Sequence, residues 1–161
     1  MDKIFEKKQY IVSSTFGVCR VEKITKLVAG KEQQLEYYVL QSLAEPNKRS
    51  YVPVENRETV LRVPMEAEEA KALWTDLMEG TLEVEENAVY TYDMGKAVLE
   101  SGDPIRWGKA VCFLRKRKGS LDVQLEDVLE KIWKNLREEL AFVLNISQEE
   151  IKATVENLGE Q

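Results

Sequence analysis

Histidine is absent from all 161 residues. This removes Ser-His-Asp and Cys-His nucleophile pairs, HExxH zinc sites and the commonest metal ligand together. Two cysteines, Cys19 and Cys112, stand far apart with no CxxC spacing. They read as small core residues of a reduced protein and as neither a redox pair nor a metal site. Carboxylates are dense at Glu66, Glu68, Glu69, Glu83, Glu85 and Glu86. General acid–base chemistry needs two carboxylates in unequal environments within a cleft, and these fall on helix starts or a connector, so they read as a solvated face. No D-x-D-x-D-G calcium loop and no phosphate-cradling glycine loop occurs. The expectation is a protein that is not an enzyme, with no catalytic residue, no metal, no cofactor and no small-molecule substrate.

The residues with more to offer are basic. At about 100° per residue, Arg106, Lys109, Lys116 and Arg117 share one arc of a helix with Phe113 between them. Trp107, Ala110, Val111 and Leu114 form the neighbouring apolar arc. Such a stripe suits a phosphate backbone; a solvated helix face that complements the macrodipole is the other reading. Trp74, Trp107 and Trp133 lie on helical patterns and read as core. Trp133 departs from its stripe by roughly 100°, which predicts a boundary or surface position for it.

The elements that must carry these residues follow from the pattern. Apolar residues make up 43% and charged residues 32%, a globular balance without any run long enough for a membrane span. Met1 to Lys8 contains no apolar signal region, and a cytoplasmic location is expected. The formal charge of −6 divides unevenly, about +3 before and −9 after residue 65. Residues 9–12, 17–24, 35–40 and 50–54 read as short strands with turns between them, and a bulge or a bend is expected near Gly17. Pro53 lacks an amide donor, which puts its strand at an edge or its proline at a bulge. A period of three and four then begins at Glu66, with helices ending at Gly80, running over 89–100 and 104–118, and rising from an Asp122 cap. Leu125, Val128, Leu129, Ile132, Leu136, Leu140 and Val143 share one stripe of that last long helix. Ser147 to Glu150 reads as a capping box for a short final helix. The expected architecture is α+β: a small, open-edged β-barrel over 1–65 and an all-α helical domain over 66–161.

Gln9-Tyr10-Ile11-Val12, Gly17-Val18-Cys19-Arg20-Val21, Gly30-Lys31-Glu32-Gln33, Glu36-Tyr37-Tyr38-Val39-Leu40, Tyr51-Val52-Pro53-Val54-Glu55-Asn56 and Leu61-Arg62 together resemble a known module. It is the RNA-polymerase-interacting module of the CarD-like bacterial transcription regulators, also found in transcription-repair coupling factors. Glu100-Ser101-Gly102-Asp103, Leu121, Leu136 and Glu139-Leu140-Ala141 resemble the same family's helical domain more weakly. The resemblance implies a Tudor-like barrel docked on the RNA polymerase β subunit by a strand edge, with Lys26 and Tyr51 at contact positions and Val52 and Pro53 on the strand concerned. It also implies a helical domain that touches promoter DNA and stabilises the open complex, with an aromatic wedge in the minor groove. At that wedge position this chain has Ala88, and Asp93, Glu126 and Asp127 stand at or beside positions where the family is basic. An alanine cannot unstack a base step, and carboxylates repel phosphates. DNA contact would then fall to the Arg106–Arg117 arc, with Trp107 and Phe113 in place of the wedge. The alternative is a cytosolic interaction module whose acidic helical domain binds another protein.

Overall fold

A computed structural model describes residues 5–29, 33–55, 59–82, 90–117, 119–147, 149–151 and 153. The chain divides into two compact units, Met1–Pro64 and Met65–Gln161. The first is an antiparallel sheet and the second is helical.

In the first unit β1 (Tyr10–Ser13), β2 (Gly17–Ala29), β3 (Gln33–Ser42), β4 (Arg49–Pro53) and β5 (Leu61–Arg62) form one five-stranded sheet in the order β4-β3-β2-β1-β5. Phe5, Ile11, Cys19, Val21, Tyr38, Leu40, Val52, Val54 and Leu61 make a single core, so residues from both end strands meet in one apolar cluster. Tyr38 is wholly buried, and its hydroxyl accepts the Phe5 N–H at 3.0 Å. That bond removes the cost of burying a phenol. The expected barrel is narrowed to this curled sheet: among the described residues β4 and β5 are its ends, with no hydrogen-bonded seam between them.

The expected bulge lies elsewhere. Gly17 takes a left-handed φ of 78° to close the β1–β2 turn. Ser13 Oγ fixes that turn by accepting the Thr15 and Phe16 N–H groups. The register shift instead falls between Val21 and Lys23. It leaves Glu22 without a cross-strand partner, and Arg49 of β4 reaches it across β3, Nε to Oε2 at 2.7 Å. This shift also breaks the alternation of Val18, Val21 and Ile24.

The second unit contains α1 (Ala67–Glu79), α2 (Tyr92–Ser101), α3 (Pro104–Arg117) and α4 (Val123–Leu144). Gly80 and Gly102 end α1 and α2 in left-handed conformations. α2 starts later than residue 89, because the Thr91 hydroxyl caps it by accepting Met94 N–H. Asp103 accepts the Ile105 N–H at the start of α3, and Asp122 accepts the Leu125 N–H at the start of α4. Beyond Asn145, Ser147 accepts the Glu150 N–H, as the expected capping box requires.

The long helix α4 contacts α1, α2 and α3. Its buried set holds most of the expected stripe, from Leu125 to Leu140, but also Trp133, Asn135, Glu138 and Glu139. Val143 is only half-buried. The core reading of Trp133 therefore holds and a surface position does not: the ring is 3% exposed, with the Arg137 guanidinium 5.2 Å from its centroid. A helix surrounded by three others buries more than one stripe, so an offset of about 100° does not reach solvent. Glu139 is wholly buried, and its Oε2 accepts the Met65 N–H at 2.8 Å.

Candidate functional site

β4 is an end strand, as Pro53 required, so one side of its main chain lacks a β neighbour among the described residues. The turn before it is firmly held. Ser42 N–H donates to Lys48 O, Ser42 Oγ accepts the Glu45 N–H, and Gln41 Nε2 donates to Pro46 O. Along β4 the side chains alternate. Tyr51 is 56% exposed, whereas Val52 is 7% exposed and belongs to the core. Val52 turns its side chain into the core and its N–H and C=O toward β3, in step with the Val54 N–H to Glu36 O and Ser42 N–H to Lys48 O bonds. It therefore offers a partner nothing, whereas Tyr51 offers its outward main chain, its ring and its hydroxyl.

The cross-strand register settles which candidates share a face. Lys23, Val39 and Tyr51 are in register across β2, β3 and β4. Arg20, Gln41 and Arg49 form a parallel row on the same face. Lys26 pairs with Glu36, which shares its face with Tyr38 and Val52. Lys26 is exposed, but it stands on the opposite face from Tyr51. The family resemblance implies contact positions for both residues; the sheet does not bring them onto one surface. In the sequence Lys23 is one of several basic residues of the strand-rich segment and nothing sets it apart, because a residue's face depends on a register shift that periodicity alone does not locate.

In the helical unit the basic arc is real but incomplete. Arg106, Lys109 and Lys116 are exposed, and Arg117 is half-buried with its guanidinium 5.3 Å from the Phe113 centroid. The rings expected beside the arc are unavailable to a ligand. Trp107 is 0% exposed with Nε1 donating to Val98 O at 3.0 Å, and Phe113 is 4% exposed against Tyr90. A wedge at Trp107 or Phe113 is thereby overturned, since both rings are spent on packing. Burial pushes the Tyr90 hydroxyl above its ordinary value, opposed by the charge of Arg106 and reinforced by Cys112. Burial likewise raises the Cys112 thiol, against the pull of Arg115 and Lys116. This cysteine is accordingly an inert packing residue, and Cys19 is buried too.

Ala88 lies outside the described residues. Asp93 and Glu126 sit in the first turns of α2 and α4, where a carboxylate complements the helix dipole. Their acidity thus has a local structural cause. Among the described residues no group of three His, Cys, Asp or Glu could hold a metal ion, and no helix is long and apolar enough to cross a membrane.

Two comparisons bear on this geometry. Residues 5–64 match the family model of the CarD-like/TRCF RID domain. A search of curated proteins finds none that matches the chain.

Proposed function

From the match of residues 5–64 to the CarD-like/TRCF RID domain, we propose a transcription regulator that docks on the RNA polymerase β subunit and modulates the stability of the promoter open complex. That domain family is an RNA-polymerase-interacting one, and the match supports a transcription-related function. The finer assignment rests on one observation, the β4 edge. Its outward main-chain groups, the Tyr51 N–H and C=O and the Pro53 C=O, can pair with an extended polymerase segment, and Tyr51 supplies an exposed side chain beside them. Lys26 takes part only where the partner wraps onto the opposite face.

Promoter contact falls to the helical unit. With no wedge at Trp107 or Phe113, the contact is to phosphates alone, through Arg106, Lys109 and Lys116 over about 15 Å of helix. Such contacts add affinity without distorting a base step. The unit's net negative charge keeps this contribution small beside the polymerase contact.

Co-elution of the full chain with purified RNA polymerase β subunit tests the docking. A stable complex, weakened by Tyr51→Asp, is expected; no complex with the unaltered chain overturns it. For the DNA contact, promoter-complex affinity is followed against salt. Replacing Arg106 and Lys109 by Gln should flatten the log–log slope by about one unit per lost contact. An unchanged slope rules out phosphate binding by α3.

A further inference from the structure

Docking along β4 leaves open which basic side chain meets the partner, and the sheet register bears on that choice. Lys23 lies in the same cross-strand row as the exposed Tyr51, separated from it only by buried Val39. With strands about 4.8 Å apart, its Cα is about 10 Å from that of Tyr51, within reach of a lysine stem and a partner's acidic side chain together. Lys26 is on the other face, so a chain lying over Tyr51 would have to pass around the sheet to touch it.

Charge favours the same choice. Glu36 stands directly across from Lys26 and offsets its field. Lys23 stands across from an apolar residue. The neighbouring Glu22 is held by Arg49 at 2.7 Å, so that carboxylate is already matched. Among the described residues of these rows, Arg20 and Lys23 are then the surplus positive charge on the face that carries Tyr51.

We propose that Lys23 is the basic specificity residue of the docking surface, receiving a carboxylate from the polymerase segment that lies along β4 over the Tyr51 face. The proposal rests on the docking reading above and names the side of the sheet on which the partner lies. The positive charge of Arg20 and Lys23 on this face also discourages pairing between copies of the chain, because two such faces brought together would repel. An acidic partner is admitted and a second copy is not.

The test uses the full chain and the purified RNA polymerase β subunit, with affinity measured at low and high salt. Lys23→Glu should weaken binding by roughly tenfold and remove most of the salt dependence, because like charges brought together at an interface are costly. Lys23→Arg should bind as the unaltered chain does, and Lys26→Glu should change affinity by less than about twofold. Melting curves for each variant separate binding from folding. If Lys23→Glu melts early, Lys23→Gln is read in its place, with the same loss of salt dependence expected. Unaltered binding by Lys23→Glu, or by Lys23→Gln where it is read in its place, or a loss confined to Lys26→Glu, overturns the proposal while the docking reading stands. No binding by the unaltered chain overturns both.

Discussion

Replacing Trp107 by Phe separates a packing role from a DNA role. The indole is 0% exposed in the helical unit, and its Nε1–H donates to Val98 O at 3.0 Å. That carbonyl also accepts Ser101 Oγ at 2.6 Å. Removing the indole N–H therefore does not strand a buried acceptor, and the lost hydrogen bond costs about 1 kcal/mol without the larger desolvation penalty. The smaller ring leaves a partial cavity worth about 1 kcal/mol more. The sum, about 2 kcal/mol, should lower the urea midpoint by about 1 M for a slope near 2 kcal/mol/M. Trp107→Ala should cost about 3–5 kcal/mol. Urea unfolding followed by far-ultraviolet circular dichroism gives the midpoint, and promoter affinity is measured on the same samples under native conditions. The expected pattern is a large shift in midpoint with unchanged affinity of the folded variant. A midpoint moved by less than about 0.2 M together with a loss of DNA affinity would refute the packing assignment.

Other perturbations have equally definite outcomes. Glu139→Leu should destabilise the helical unit by about 2 kcal/mol, since the buried Met65 N–H loses its charged acceptor, and Glu139→Gln should cost less; urea midpoints measure both. Asp122→Ala should cost about 1 kcal/mol by removing the cap on Leu125 N–H, read from the same curves. Gly95→Ala sets a helix-propensity gain of about 1 kcal/mol against a methyl only 3.2 Å from Val128 Cγ1 and 3.3 Å from Leu125 Cδ1. Crowding of about 2 kcal/mol should win, giving a net loss near 1 kcal/mol in thermal unfolding. Finally, Cys112 and Tyr90 have folded-state pKa values raised above the ordinary 9.0 and 10.0. The unfolded chain releases these protons first, so their contribution is intact below pH 9 and is lost as pH rises through the raised values. Unfolding curves measured from pH 8 upward should show a decline that Cys112→Ala and Tyr90→Phe each make shallower.

Local chemistry made much of the fold legible. Pro53 cannot donate to a ladder, and its strand is at the end of the sheet. Gly80, Gly102, Asp103 and Asp122 act at helix ends because caps and left-handed residues work within a few residues of chain. The Thr91 cap was equally local, but the apolar pattern before it hid where α2 begins. The basic arc of α3 followed from helical spacing, which places side chains on a face whatever surrounds the helix.

What the sequence could not assign depended on neighbours distant in the chain. Periodicity read the tryptophans as core while setting Trp133 off its stripe, and the missing family wedge offered Trp107 and Phe113 as groove-facing rings; Trp107, Phe113 and Trp133 are all buried. A stripe says which residues share a face; the number of helices packed around it says how much of the circumference is dry. In the sheet, a single unpaired residue at Glu22 changes which side chains share a face, and this brings Lys23 beside Tyr51 and sends Lys26 to the other side. The sequence alone determined the element types, their caps and the split between a basic strand-rich segment and an acidic helical one. Tertiary structure alone decided which candidates reach a partner, because accessibility and cross-strand register are properties of pairs of segments and not of either segment by itself.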